Sequence, residues 1–336
     1  MIKVISLVIF YTVIAYAQIN QSNTGVWKNS TVSSSPILRV GASSATTNSH
    51  QWIVFAGGDE TQFFNDLHSL DLTKPDGGWT NITTTNTPSK RAWHSSVIIN
   101  NKFYVFGGFD KTKNIDSTVY ELDLSQQSPS WKTLSSSNAA SPRFLHSAVT
   151  HNNKMYTFGG MTADSKFFND VHEFDPSTNK WTQIKTNEGP SPRAAHSATQ
   201  YADRMYIFGG TASGEYYGDT WALDLKSFTW TKIKTTPSES AVKFPSPRAG
   251  AITALVKENL WIFGGQTAGG KSADLWVLSL EGHAWSEVIN IRPSNQPTAR
   301  YSGVAAISPS TQAFNILGGD GDKPMNGNQW FFVVLQ

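Results

Sequence analysis

An arginine supplies a planar fork for a carboxylate or phosphate, a histidine titrates near neutrality, and a glycine pair lets backbone approach a ligand closely. The stretch RFLHSAVTHNNKMYTFGG, residues 143–160, holds all three, and near-copies of it recur along the chain. Arginines fall at Arg39, Arg91, Arg143, Arg193, Arg248 and Arg300, each followed by a glycine pair beginning at Gly57, Gly107, Gly159, Gly209, Gly264 or Gly318. Histidine at the third position after the arginine occurs only as His94, His146 and His196; Ala42, Ala251 and Gly303 stand there in the other copies. Zinc needs its ligands about 2 Å from one centre, which equivalent positions on successive strands do not provide, so these histidines read as core residues and no metal is expected.

Other chemistry is thinly represented. The chain has no Cys, which removes thiol nucleophiles, thiolate metal sites and disulfides. It holds no Gly-x-Ser-x-Gly, His-Glu-x-x-His or phosphate-binding glycine loop. The run GGDGDKPMNGN, residues 318–328, lacks the acidic spacing of a calcium loop and reads as a turn. No catalytic residue and no cofactor are assigned.

The elements that position these residues follow from the repeat. Successive glycine pairs are 50 to 55 residues apart, and Trp27, Trp79, Trp131, Trp181, Trp230 and Trp285 keep the same period. Each unit reads as four short strands, termed A to D. In the third unit these are RFLHSAV, KMYTFGG, DVHEFD and KWTQI, with THNN as the A-to-B turn and DPSTN between C and D. No segment has a helical period. The expected fold is all-β.

Four-stranded units of this length, with Gly-Gly and a later Trp, resemble the kelch repeat from about residue 25 onward. The resemblance implies a six-bladed β-propeller, with the glycine pair at the end of strand B and the Trp filling the wedge between blades. The chain begins with a Trp unit and ends on a C-type strand, so the strand around residues 25–31 is expected to complete the sixth blade and close the ring. The domain would span 18–336. The arginines would then ring one mouth of the central channel, either donating to carboxylates or carbonyls between blades or contacting a ligand. Glu215 and Asp219 look like the start of the iron-binding pattern of the plant specifier proteins, but Leu223 stands where that pattern has His. A similar secreted group with a copper radical site needs a Cys that is absent here.

Composition sets the compartment and the class of partner. Lys and Arg number 27 against 25 Asp and Glu, giving a net charge of +2 and no footprint for nucleic acid. Residues 1–17 read as a signal peptide, with Lys3, an apolar run from Val4 and an A-x-A end at Ala15–Ala17; a signal anchor is the rival reading, against which the run falls short of the roughly 20 apolar residues of a span. The expected product is a secreted or lumenal monomer without a membrane span, with Asn-x-Ser/Thr sequons at Asn20, Asn29 and Asn81. A non-catalytic binding propeller for a protein or glycan is favoured; a sugar-modifying enzyme of epimerase or mutarotase type, with its site at the channel mouth, is the alternative.

The D-to-A and B-to-C connections share one end of such a unit, and that end is the expected binding face. It would carry the six arginines and the residues after the glycine pairs: Asp59, Phe109, Met161, Thr211, Gln266 and Asp320. Trp93, Phe144 and Tyr301 follow the arginines, and Phe63, Phe64, Phe167, Phe168, Tyr216 and Tyr217 lie in B-to-C loops, where one of each pair should pack inward. The Trp-to-Arg interval lengthens between Trp230 and Arg248 and between Trp285 and Arg300. The first insertion presents Val242 and Phe244, and shortening it over 235–240 is expected to touch no strand.

Overall fold

The computed structural model describes residues 24–30, 34–74, 77–112, 114–134, 138–237, 243–290, 292, 295–321 and 329–334. The segment read as a signal peptide, Asn20 and Val242 lie outside these. Within them the chain is all-β, built on six main sheets of four antiparallel strands, which follow one another in sequence order in the first five. The first sheet comprises Ser43–Thr46, Gln51–Phe55, Leu67–Asp71 and Thr80–Asn81, and the second Ser95–Ile99, Lys102–Phe106, Val119–Asp123 and Trp131–Leu134. The third holds Ser147–His151, Lys154–Phe158, Val171–Asp175 and Lys180–Ile184; the fourth, Ser197–Tyr201, Arg204–Phe208, Thr220–Asp224 and Thr229–Ile233. The fifth takes Ile252–Val256, Asn259–Phe263, Leu275–Ser279 and Ala284–Glu287. In the sixth, Val304–Ile307, Phe314–Leu317 and Gln329–Val334 are joined by Thr24–Ser30, which pairs antiparallel to Gln329–Val334 with Trp27 opposite Phe332.

Burial explains why second strands such as QWIVF, KMYTF and NLWIF read as unbroken apolar runs. Four of the five residues in each are buried, because a neighbouring sheet covers each face. Between sheets sit the periodic tryptophans. Trp131, Trp181, Trp230, Trp285 and Trp27 meet Phe55, Phe106, Phe158, Phe208 and Phe263 of the preceding sheet at 4.7 to 5.0 Å between ring centroids. The sixth, Trp79 of the first sheet, donates its indole N–H to Gln329 of the sixth. Each such burial contributes about 2 to 3 kcal/mol.

Strand boundaries differ from the sequence reading in an informative way. Strand A of the third unit starts at Ser147 rather than Arg143, because Leu145 is left-handed at φ 55° and turns the chain before the sheet begins. Thr150 and His151 belong to that strand, and the turn is only Asn152–Asn153, both at positive φ as a two-residue hairpin requires. The insertion after Trp230 is not strand-free: Thr236–Pro237 adds a short parallel pairing to Ala284–Trp285 at the outer edge of the fifth sheet. A deletion over 235–240 therefore removes sheet structure.

Candidate functional site: the loop-bearing end of the sheets

Arg143 shows how the repeated arginine is held. Its Nη1 and Nη2 donate to the two carboxylate oxygens of Asp170 at 2.6 and 3.0 Å, and Nη1 also donates to the carbonyl of Gly159 at 2.9 Å. Arg39–Asp66, Arg193–Asp219 and Arg248–Asp274 repeat this fork, and Arg91–Asp116 is a single-oxygen version at 3.3 Å. Arg300 donates to Gly318 O and Thr298 Oγ1. Aromatic rings cover several guanidinium groups, with Phe64, Phe168 and Tyr217 lying 4.7, 4.2 and 4.2 Å from Arg39, Arg143 and Arg193. None of the six arginines is more than 3% exposed.

The arginine side chains thus serve the framework, the first of the two readings, and do not offer their forks to a ligand. Their side chains act within one sheet, tying the D-to-A connection to the start of strand C, rather than between blades. Burial alone would raise the Asp66 carboxyl, but hydrogen bonds from Arg39 and His68 more than offset it, and the carboxyl sits well below its usual range. Asp170 is held down in the same way by His172 and Arg143.

Sheet-to-sheet bonding comes from the arginine backbone. Gly57, Gly108, Gly160, Gly210, Gly265 and Gly319 donate N–H to the carbonyls of Arg91, Arg143, Arg193, Arg248, Arg300 and Arg39, each in the next sheet. At Gly107 an added Cβ would lie 2.4 Å from Arg143 O, which is why glycine is needed at the pair. Two residues beyond the arginines lies a second set. Trp93 N donates to Gly41 O, Leu145 to Trp93, Ala195 to Leu145, Gly250 to Ala195, Ser302 to Gly250, and Gly41 to Ser302. All six of these residues are left-handed, with φ between 53° and 66°. They line an axial dimple of about 130 Å³.

His146 and His196 bond across sheets, with Nε2 2.7 Å from Ser95 Oγ and Ser147 Oγ respectively. All three repeat histidines are fully buried. Burial holds His94 and His196 down to about 3, and His146 is lowered for the same reason. Among the described residues no cluster of His, Asp and Glu is arranged to hold a metal ion.

Residues after the arginines pair with residues after the glycines, as in Ala92 with Phe109, Phe144 with Met161, Ala194 with Thr211, and Tyr301 with Asp320. The two groups therefore share one end of the sheets. On the first three sheets they form an apolar arc. Trp93 stacks on Phe109 at 4.9 Å, Phe63 meets both edge-on, and Phe144 stands perpendicular to Phe109 at 4.9 Å. Met161 pairs with Phe144 and Phe167. All six side chains are half-buried.

On the other three sheets the same positions are polar. Thr211 Oγ1 donates to Glu215 O, Tyr216 pairs with Thr211 in a short hairpin, Gln266 donates to Thr267 O, and Asp320 accepts from Lys271 at 2.9 Å. Asp59, on the first sheet, caps its own loop through Thr61 and Gln62. Phe244 and Ile37, on D-to-A connections, are 49% and 60% exposed. Sequence reasoning missed the left-handed ring; the glycines at Gly41 and Gly250, two residues past an arginine, were its signal. It also missed the buried Glu121 and the half-buried Glu173, which accept from Lys102 with Tyr104 and from Lys154 with Tyr156, signalled by K-x-Y opposite Glu on the facing strand.

The chain is similar to known proteins over most of its length. The model of the KLHDC2/KLHL20/DRC7 kelch-repeats domain matches residues 15–140 and 109–319. Acyl-CoA-binding domain-containing protein 4 of Arabidopsis thaliana is 31% identical over 71% of this chain and 36% of its own length. Host cell factor of Drosophila melanogaster is 25% identical over 84% of this chain and 21% of its own. Adagio-like protein 3 of rice, Oryza sativa subsp. japonica, is 31% identical over 40% and 22%. Against these three relatives the match covers between about a fifth and just over a third of the relative's length. With its periodic Gly-Gly and Trp markers, four-stranded sheets and a family match over most of its length, the chain belongs to the kelch-repeat family.

Proposed function

We propose that this chain is a secreted, non-catalytic, six-bladed kelch propeller that binds a protein partner through the end carrying the aromatic arc. Closure of the ring is supported by the pairing of Thr24–Ser30 with Gln329–Val334 and by the Gly319-to-Arg39 hydrogen bond. The observation that carries the binding reading is the arc itself: Phe63, Trp93, Phe109, Phe144, Met161 and Phe167 form a contiguous, half-exposed apolar surface. Trp93 is held left-handed at φ 57°, the conformation of all six ring positions, so the framework fixes where its indole stands in the arc.

A protein fits this surface better than a glycan does. A sugar stacks on a free ring face, whereas Trp93 has Phe109 on one face and Gly41 so close to its indole that a Cβ added there would lie 3.0 Å from it. Protein side chains instead pack against ring edges and into the dimple, which is close in size to a cavity that admits one benzene-sized group. The sugar-modifying alternative needs an arginine free to act at the mouth, and the buried guanidinium groups are engaged elsewhere.

The test is cross-linking capture from extracellular fluid with the folded chain, comparing the Trp93→Ala/Phe144→Ala double variant with Gln266→Ala. A partner protein captured by the parent and by Gln266→Ala but lost from the double variant is the expected result. Equal capture by all three, or acceleration of sugar anomer exchange followed by NMR, would refute the reading.

A further inference from the structure

We infer that Asn29 and Asn81 are paired N-glycosylation sites, which place glycan on the outer edges of the sixth and first sheets. The inference rests on the secretory route proposed above. Both asparagines begin sequons, Asn29-Ser30-Thr31 and Asn81-Ile82-Thr83, and both stand two residues after the periodic tryptophan of their unit, Trp27 or Trp79. They are therefore one repeat position used twice.

That position has a consistent environment. Side chains two residues apart on a strand share a face, yet Trp27 and Trp79 are buried while Asn29 and Asn81 are exposed. By the second residue the strand has run past the rim of the neighbouring sheet. The equivalents Thr133, Gln183, Lys232 and Glu287 are exposed in the other four sheets as well, so this point of the repeat is open among the described residues. Neither asparagine carboxamide makes a hydrogen bond to another described residue, so a sugar on Nδ2 displaces no contact within them.

The two sites lie on strands of neighbouring sheets. Trp79 of the first sheet bonds to Gln329 of the sixth, which places the glycan-bearing strands on neighbouring sheets where the first and last described strands meet. Both strands lie at the outer edge of their sheets, where free backbone groups invite pairing with another chain. Along Thr24–Ser30 that edge is covered, among the described residues, at Thr24 and Gly25 by the parallel pairing with Ile289–Asn290, which stops short of Asn29. A bulky hydrophilic glycan at each site would shield these edges and leave the aromatic arc free.

The experiment expresses the full chain, with its own first 17 residues, in a eukaryotic secretory host and maps glycopeptides of the product by mass spectrometry before and after endoglycosidase. Occupancy of both Asn29 and Asn81 is expected, Asn29 lost with N29Q or T31A and Asn81 lost with N81Q or T83A. Because the environment rather than the asparagine alone is the claim, Q183N/K185T, which moves the sequon to the same position of the third sheet, is expected to add one glycan. A secreted chain with its leader removed and both asparagines bare would overturn the inference while leaving the proposed function standing; so would occupancy of only one, or no gain from Q183N/K185T. A chain that keeps its leader and stays in the cytosol would overturn both.

Discussion

The second and third sheets and the fifth and sixth are built on one framework and finished differently. In both pairs an arginine donates to the carbonyl of a glycine pair, a tryptophan meets an aromatic ring of the preceding sheet, and a left-handed residue joins the ring at the mouth. The second and third sheets place Trp93 and Leu145 in that ring, Phe109 and Met161 after the glycines, and His94 and His146 beneath. The fifth and sixth place Gly250 and Ser302, Gln266 and Asp320, and Ala251 and Gly303. What repeats is what the fold requires; what departs from the repeat is where recognition can reside.

The largest effect should fall on the shared framework. Arg143→Ala leaves the Asp170 carboxylate without its principal cation and the Gly159 carbonyl without that donor, in a site where the arginine was fully buried. Breaking a buried pair from one side costs about 3 to 5 kcal/mol, and Arg248→Ala should cost as much, because Asp274 and Gly264 are held identically. Chemical denaturation of both variants checks this. A loss under about 1 kcal/mol in either would mean that the framework is not the common element.

A smaller effect distinguishes the two pairs by pH. A histidine whose folded value lies below its ordinary 6.5 is favoured neutral in the fold, so its contribution is complete above pH 6.5 and declines as the unfolded chain gains protons on acidification. For His94 and His196, held to about 3 by burial, the decline runs from about pH 6.5 down to about pH 3. The depressed Asp66 and Asp170 add their own loss only below about pH 4. Stability measured from pH 7 to pH 4.5 should therefore fall, and the fall should shrink in His94→Ala, which adopts the residue found in the first and fifth sheets. An unchanged slope would show that these histidines are not the groups responsible.

Much of the framework was legible because it repeats. Six arginines, six glycine pairs and six tryptophans in one register define the sheets, and the unmatched tryptophan at the start indicates a strand that joins the last sheet. The candidate surface was less legible for a physical reason. An arginine read alone is a ligand contact or a buried fork, and the choice depends on Asp66, Asp170, Asp219 or Asp274, which stand 26 or 27 residues away and reach it only through sheet register. Likewise, Trp93 and Phe109 read as two separate loop residues. Their stacking follows from the single backbone bridge between Ala92 and Phe109, which no local pattern encodes.

The smallest effect tests the mouth ring, where backbone conformation rather than contact distinguishes the sheets. Gly250 sits at φ 63°, and a Cβ there would lie 2.9 Å from Ser302 Oγ, so Gly250→Ala adds both left-handed strain and a tight contact. Strain of this kind costs about 1 to 2 kcal/mol. Ala195 occupies the equivalent position at φ 53° and already bears that strain, so Ala195→Gly removes it while giving the unfolded chain more freedom. The two terms oppose each other, and the net change should be a gain of under about 1 kcal/mol. Thermal unfolding of the pair should therefore move in opposite directions, down for Gly250→Ala and slightly up for Ala195→Gly. If both are destabilised to the same degree, the ring is shaped by packing around its side chains rather than by its left-handed backbone.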